Sequence, residues 1–181
     1  MELRLSPSGP VVGDITTGHI VQSASRTLPE FESDSFGSNT VIRPVNTNMF
    51  TQGGEPLRVG LPNFKEGHRL RVEADLLVNK QGTYSTTSYE VKVQVSADNG
   101  ANWSDVFTMF QSQPASANTG GRNFPFTVRT ETIDPSVVTG FVDGGQVLAR
   151  IAIRQSNENV SPTQFTGDLT NSMTAYELTA D

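Results

Sequence analysis

Two carboxylates two residues apart, Glu73 and Asp75, are the nearest thing in this sequence to a catalytic acid pair. Alternate residues of a β-strand face the same side, so both would project together. Paired carboxylates are what glycoside hydrolysis requires. Arg69 and Arg71 fall on the same face, however, and would neutralise the two acids. We therefore expect a solvated ionic strip or an interface strip rather than an active site.

Metal-ligand chemistry is sparse. The chain has two histidines, His19 and His68, and no cysteine. A transition-metal site needs several nitrogen or sulfur ligands brought close together, which two distant histidines do not supply. Asp98, Asp105 and Asp143 carry the oxygens that calcium prefers, but no loop has the regular ligand spacing of a calcium site. We expect no metal and no other cofactor.

Two motifs that would signal catalysis or nucleotide binding do not occur in the sequence. These are the G-x-S-x-G turn of serine hydrolases and the G-x-x-x-x-G-K-[ST] phosphate loop. Since the acids and histidines also form no legible catalytic set, we assign no catalytic residue. We expect a protein that is not an enzyme.

The octapeptide Ser96–Trp103, SADNGANW, matches the Asp-box pattern S-x-D-x-G-x-x-W. It resembles the Asp boxes of sialidase-like propellers, where Asp and Gly shape a hairpin turn and the aromatic residue plugs its base. A propeller repeats the motif, whereas this chain has it once, so we interpret it as a structural turn. We expect Trp103, the only tryptophan, to join the core. The alternative is that its ring stacks on a sugar.

The segment before this turn gives the clearest secondary-structure signal. Its apolar residues alternate strictly with polar ones, a period of two that a helix cannot use, and β-branched residues favour a strand. Asp98-Asn99-Gly100 tolerate the positive φ of a tight turn. The sequence therefore predicts a long antiparallel hairpin that buries Tyr89, Val91, Val93, Val95 and Ala97 on one face.

Further strands follow from the same alternation. Pro125 interrupts one of them and predicts a sheet edge or a bulge, because proline removes a ladder donor. A closing strand at Thr174–Thr179 is expected to bury Tyr176 and Leu178. About eight or nine strands at this spacing predict an all-β antiparallel sandwich. The other inward-facing residues are expected to be Leu57, Val59, Leu61, Leu70, Val72, Ala74, Leu76, Val78, Phe124, Phe126, Val128, Val147, Ala149, Ile151 and Ile153.

Residues 1–50 differ in composition from residues 51–181. They are rich in Pro, Gly, Ser and Thr and poor in large apolar residues, with short extended pieces at Thr17–Ser23 and Asn39–Val45. Such a segment buries too little apolar surface to fold alone. We expect an extended N-terminal arm at 1–50 that neighbouring subunits hold, followed by the sandwich at 51–181. The alternative is an arm that wraps its own domain.

Composition excludes several classes of protein. The 181 residues suffice for one domain with a substantial core. No apolar run of about 18 residues is present, so we expect no membrane-spanning segment. The first residues, MELRLSPSGP, lack an apolar signal-peptide core, which argues against classical secretion. The net charge of −6 argues against nucleic-acid binding.

From Phe64 onward the strand pattern resembles the jelly roll of the tumour necrosis factor and complement globular-head class. Phe64, Gly67, Val72 and Ala74 are similar to its F-x-x-x-G-x-x-x-V-x-A opening. Gly144, Val147 and Ile151 resemble its G-x-x-V-x-x-x-I strand, and Phe165-Thr166-Gly167 resembles its F-x-G loop. The resemblance implies a homotrimer with a hydrophobic face near a threefold axis. Similar bacteriophage jelly rolls with N-terminal arms serve as head decoration (cement) proteins or as fibre and spike tips.

The absent signal peptide, the absent cysteine and the arm fit a virion protein better than a secreted cytokine. We expect a structural subunit on the capsid exterior, made in the host cytoplasm, that binds the major capsid protein and itself. Several arms per trimer would add avidity. The alternative is a carbohydrate- or receptor-binding module at a fibre or spike tip, with Trp103 as a ligand contact. The expected interface residues are Ile15, His19, Ile20, Val21, Phe31, Phe36, Val41 and Ile42.

Overall fold

A computed structural model of the chain describes residues 18–27, 35–36, 43–44, 56–80, 87–113, 122–155, 163–165 and 171–180. These residues form eleven β-strands and one short 3₁₀ helix at Pro135–Val137, whose first turn is capped by the Asp134 carboxylate. The strands are β1 (Ile20–Thr27), β2 (Ser35–Phe36), β3 (Arg43–Pro44), β4 (Arg58–Phe64), β5 (Arg69–Lys80), β6 (Thr87–Ser96), β7 (Ser104–Gln113), β8 (Arg122–Arg129), β9 (Gly145–Gln155), β10 (Thr163–Phe165) and β11 (Ser172–Leu178).

Two antiparallel sheets make up the sandwich. Sheet A runs β1-β11-β5-β8, and the short strands β10 and β2 continue beside the far half of β5. Sheet B runs β4-β9-β6-β7, with β3 beside the far half of β9. Strands distant in sequence are neighbours in both sheets, which is the strand order of a jelly roll. The predicted all-β sandwich is confirmed.

The core lies between the sheets and follows the predicted alternation. In β6, Tyr89, Val91, Val93 and Val95 are fully buried. They face inward because each alternate residue of the strand points to the same side. The hairpin of β6 and β7 is confirmed, with the turn at Ser96–Trp103. Most of the remaining core comes from β4 with the preceding Leu57, and from β5 and β9, namely Leu57, Val59, Leu61, Phe64, Leu70, Val72, Ala74, Leu76, Val147, Ala149, Ile151 and Ile153. Val128 of β8 and Met173 and Ala175 of β11 also belong to it.

Two details of the strands bear on the predictions. Among the described residues β8 pairs only with β5, so Pro125 lies in an edge strand, as predicted. The prediction that Tyr176 is buried is wrong. In β11 the inward residues are Met173, Ala175 and Glu177, followed by Leu178, and Tyr176 faces outward. The inward position at this end of β11 is therefore occupied by the carboxylate of Glu177, and not by the ring of Tyr176.

The strand directions determine which turns and loops lie at each end of the sandwich. One end, which we call the Asp-box pole, carries the Ser96–Trp103 turn, the β4–β5 turn and the β8–β9 loop. Hydrogen bonds join the last two, since Gly144 N donates to Phe64 O (2.8 Å) and Glu66 N donates to the Asp143 carboxylate (2.9 Å). The connections that follow β5, β7 and β9 leave from the opposite pole. Most of Gln111–Gly121 and Asn157–Gly167 lies outside the described residues.

Candidate interaction surfaces

Three of the expected interface residues lie at the start of β1, on the outer rim of sheet A. His19 is exposed, Ile20 is 57% exposed and Val21 is 50% exposed. Phe36 lies in the two-residue strand β2. The remaining four, Ile15, Phe31, Val41 and Ile42, lie outside the described residues.

A β-bulge explains why two successive apolar side chains are exposed. Ile20 pairs with Leu178 and Gln22 pairs with Glu177, so Val21 is the extra residue. A bulge at a sheet edge locally disrupts the ladder and re-aims the side chains beside it. After the bulge, β1 pairs regularly with β11 from Gln22 to Thr27. The described strands within residues 1–50 are β1, β2 and β3, and they pair with β11, β10 and β9 of the same chain. Of these, β1 is an edge strand with an apolar pair at its tip.

A buried carboxylate fastens this edge strand. Glu177 is 1% exposed and accepts hydrogen bonds from His68 Nδ1 (2.6 Å), Lys65 N (2.9 Å) and the Gln22 side-chain amide. Gln22 also donates to Pro62 O (2.6 Å). A buried carboxylate must be paired in this way, because unpaired it would be strongly destabilising. Sequence reasoning missed Glu177, since its partners are far away in the chain.

The Asp-box turn is closed by its own side chains. Asp98 Oδ1 accepts from Ser96 Oγ (2.7 Å) and from Asn102 N (2.9 Å), and Asp98 Oδ2 accepts from Asn102 Nδ2 (2.6 Å). Gly100 N donates to Ser96 Oγ (2.9 Å). Asn99 and Gly100 have φ of 59° and 87°, the left-handed region that these residue types tolerate. The structural interpretation of the motif is confirmed.

Charge at this turn is set by the same contacts. The backbone and side-chain amides of Asn102, followed by the Ser96 hydroxyl, lower the pKa of Asp98 to about 2. Hydrogen bonds to a carboxylate favour its charged form, which is the cause of the shift. Asp98 is thus ionised, and its hydrogen bonds hold the turn together.

The expectation that Trp103 joins the core is wrong. Its ring is half-buried on the outer face of sheet B, and its Nε1 donates to Gly100 O (2.9 Å). The Arg150 guanidinium lies 3.9 Å from the ring centroid and covers one ring face. Arg150 is held in turn by a hydrogen bond from its Nε to Gln94 Oε1 (2.9 Å). Only the opposite ring face would remain for a stacked sugar.

The Glu73 and Asp75 pair forms an ionic and polar strip on the outer face of sheet A, as predicted. Glu73 lies 3.6 Å from Arg71 Nε and accepts a hydrogen bond from the Tyr176 hydroxyl (3.4 Å). Arg71 also lies over the Tyr176 ring, 5.0 Å from its centroid. Burial, and next the Glu73 carboxylate, raise the pKa of Tyr176. Asp75 accepts from Thr127 Oγ1 (2.9 Å), so the two acids have separate partners.

The other candidate groups are dispersed. Asp105 pairs with Lys92 and accepts from Gln94 Nε2 (2.7 Å), while Asp143 caps the β4–β5 turn. Within the described ranges, no three His, Cys, Asp or Glu side chains form a group that could hold a metal ion. No helix in the described part of the chain has the length and apolar character to cross a membrane.

The two sides of the sandwich differ. On one side β4 of sheet B packs against β1 and β11 of sheet A. On the other side β7 and β8 are the edge strands of their sheets. There, Phe107 and Met109 pair with Val93 and Val91 and face inward, yet they are only half-buried. Apolar surface on the inner face of a sheet edge is suited to contact with another chain.

Comparisons with known proteins show similarity at the level of the fold. No protein-family model matches the chain, and no curated protein matches it by sequence. The Eiger TNF structure from S. frugiperda is 11% identical, with a TM-score of 0.41, over 84% of this chain and 95% of that one. The infectious bursal disease virus Gx strain structure is 11% identical, with a TM-score of 0.39, over all of this chain and 42% of the viral one.

A VP2 subviral particle of infectious bursal disease virus is 10% identical, with a TM-score of 0.41, over 88% of this chain and 38% of that one. The chain thus spans less than half the length of the viral chains that it matches. At this level of similarity the likenesses assign no function. The jelly-roll fold stands on the strand order described above.

Proposed function

We propose that this chain is a non-enzymatic structural subunit of a virion, a homotrimeric decoration protein that binds the outer capsid lattice through its N-terminal segment. The observation that carries the proposal is the tip of β1. Ile20 and Val21 are both exposed there, on an edge strand that is firmly attached to the sandwich through Glu177. An apolar pair on a fixed edge can dock on a neighbouring subunit without first being ordered.

Self-association draws support from the opposite side of the sandwich. Phe107 and Met109 retain exposed apolar surface beside the edge of sheet B, and Phe110 on the outer face is 72% exposed. Burying such surface in a trimer would remove it from water. The non-enzymatic assignment rests on the acids considered above and on His68, because Glu73, Asp75, Asp98, Asp105, Asp143 and His68 are each engaged in a structural contact.

The experiment combines mass in solution with attachment to particles. The full chain is expected to sediment as a trimer and to co-sediment with purified capsids that lack it. Replacing Ile20 and Val21 together by Lys should abolish attachment while the trimer persists. Val137→Lys is the matched control, because Val137 is 79% exposed at the same pole of the sandwich but lies on the 3₁₀ helix and not on β1. A monomer, or full attachment by the double variant, would contradict the proposal.

A further inference from the structure

The Asp-box turn contains a reactive pair of residues that its structural role does not use. Asn99-Gly100 is the only Asn-Gly dipeptide in the sequence. Asparagine before glycine is prone to spontaneous deamidation, because glycine has no side chain to hinder attack by its backbone nitrogen on the neighbouring side-chain amide. Asn99 is exposed at the tip of the turn. The turn therefore presents this pair to water.

The reaction consumes only water. Gly100 N attacks Asn99 Cγ, the bond from Cγ to Nδ2 breaks, and ammonia leaves with the proton that the Gly100 amide has lost. Water then opens the resulting succinimide ring at one of its two carbonyl carbons. The product at position 99 is either aspartate or isoaspartate.

Hydrogen bonds hold the attacking nitrogen in place. Gly100 N donates to Ser96 Oγ (2.9 Å), and Ser96 Oγ donates to Asp98 Oδ1 (2.7 Å). On the other side of the same residue, Gly100 O accepts from Trp103 Nε1 (2.9 Å). To attack, Gly100 N must lose its proton and turn toward the Asn99 side chain, which breaks its bond to Ser96. Ring closure therefore requires the turn to open first.

The groups that hold Gly100 are themselves anchored, although the reactive pair is exposed. Ser96 is 0% exposed. Asp98 also accepts from Asn102 N (2.9 Å) and from Asn102 Nδ2 (2.6 Å). The β8–β9 loop packs against the turn, since a Cβ atom at Gly140 would lie 2.9 Å from Asp98 Cβ. Opening the turn thus breaks several contacts together.

Asn63 provides a comparison within the same chain. Asn63 and Asn99 are both exposed, and their φ angles are 55° and 59°. Asn63 precedes Phe64, whose buried side chain stands next to the nitrogen that would attack. The two asparagines therefore share backbone conformation and exposure but differ in the residue that follows.

We propose that Asn99 is a site of spontaneous deamidation, and that opening of the Asp-box turn sets its rate in the folded protein. Isoaspartate carries the main chain through the side-chain carbons, which adds one methylene between positions 99 and 100. Gly100 N would then no longer face Ser96 Oγ, and the turn would also gain a negative charge. The modification is a one-way record of turn opening. The inference does not depend on the proposed virion role.

Peptide mass spectrometry tests this proposal by following the conversion of amide to acid at Asn99 and Asn63. The full chain is incubated in mildly alkaline buffer, both folded and unfolded in urea. In urea, Asn99 should convert faster than Asn63 and at the same rate in every variant. In the folded native chain, conversion at Asn99 should be at least about tenfold slower than in urea, because opening the turn costs free energy.

Two variants release Gly100 N by different routes. Ser96→Ala removes its acceptor, and Asp98→Asn weakens the bonds that hold Ser96 and Asn102. Each should speed conversion at Asn99 in the folded protein about fivefold or more, as expected for the loss of a hydrogen bond. Asp134→Asn is the matched control, because Asp134 accepts from Ser136 N on the 3₁₀ helix at the same pole. It should leave the rate at Asn99 unchanged.

Thermal unfolding shows which variants fold, and Asp98→Asn alone decides if Ser96→Ala does not. The proposal is overturned if Asn99 converts no faster than Asn63 in urea, or if the native chain converts equally fast when folded and unfolded. It is also overturned if neither turn variant accelerates conversion. Equal acceleration by Asp134→Asn would overturn it too, because the protection would then come from the stability of the whole fold.

Discussion

The guanidinium group of Arg150 lies on the indole ring of Trp103, 3.9 Å from the ring centroid. The contact joins the centre of sheet B to the Asp-box turn, because Arg150 belongs to β9 and is bonded to Gln94 of β6. Cation–π pairs contribute roughly 0.5–2 kcal/mol, depending on how far they are withdrawn from water. The Asp-box turn is therefore stabilised from outside as well as by its own hydrogen bonds.

Removing this contact should be measurable. We expect Arg150→Ala to lower the free energy of unfolding by about 1–2 kcal/mol, because it loses the ring contact and the bond to Gln94. Urea unfolding followed by tryptophan fluorescence measures both the stability and the changed surroundings of the ring. Arg129→Ala is the control and should change neither. An Arg150→Ala protein with unaltered stability and emission would show that the stacking contributes nothing.

The depressed pKa of Asp98 predicts acid sensitivity. The folded-state pKa of about 2 lies below the ordinary value of 3.8. The carboxylate therefore contributes stability that is fully present above about pH 4 and is lost as the pH falls through about 2. Asp98→Asn should be less stable than the native protein at neutral pH, and this difference should shrink on acidification. Thermal unfolding between pH 2 and 7, at about half-unit steps, tests it.

The same pH series on Asp134→Asn provides a comparison, because the pKa of Asp134 is also lowered. The largest cause of that lowering is its hydrogen bonding to Ser136. A difference between native and Asp98→Asn proteins that stayed constant from pH 7 to about 2 would refute the linkage.

Glu177 should be the most sensitive polar position in the sandwich. Glu177→Gln replaces one acceptor oxygen by an NH₂ group that faces existing donors, and leaves buried groups unsatisfied. We expect a loss of about 2–3 kcal/mol in the free energy of unfolding. Since Gln22 of β1 loses one of its two hydrogen-bond partners, limited proteolysis should also cut within residues 18–27. Glu73→Gln, on the exposed strip, should have little effect on either measurement. A fully stable and protease-resistant Glu177→Gln protein would contradict this role.

Substitutions at two glycines distinguish the destabilisation caused by backbone strain from that caused by steric contact. Gly67 and Gly140 have φ of 79° and 87°, and a Cβ atom at Gly67 would meet nothing within 4 Å. At Gly140 it would lie 2.9 Å from the Cβ of Asp98. Gly67→Ala should therefore cost only the strain of a positive φ, about 1–2 kcal/mol. Gly140→Ala should cost more in chemical denaturation, because the β8–β9 loop must move off the Asp box. Equal losses would exclude a steric contribution from this contact.

The sheets were predictable where one physical rule acts along a single strand. Alternation from Tyr89 to Val95 placed β6 and its buried face correctly, and Pro125 marked an edge because a proline cannot serve a central ladder. Asp98-Asn99-Gly100 fixed the turn through local backbone preferences. Each of these signals is contained within a few successive residues.

The failures arise where the deciding contacts join distant parts of the chain. Tyr176 was expected inside because it alternates with Leu178 in the closing strand. Glu177 takes the inward position since His68, Lys65 and Gln22 satisfy it there, and Tyr176 packs outside on Arg71. Trp103 was expected inside because it is the only tryptophan and lies beside a core strand, but Arg150 of β9 covers its ring on the outer face. The division of the chain at residue 50 stays a prediction, and the strands β1, β2 and β3 are the secondary-structure elements within residues 1–50 that the structure describes.

The polarity of the jelly roll has a practical consequence. Strands β5, β7 and β9 all end at the pole away from Ser96–Trp103, so a foreign peptide spliced into the sequence after any of them would emerge there. Such a tag would sit at the opposite end of the sandwich from the β1 tip, because Ile20 pairs with Leu178 and Leu178 pairs with Arg69 at the start of β5. It would let the protein be immobilised or labelled in a known orientation while leaving the β1 tip unobstructed.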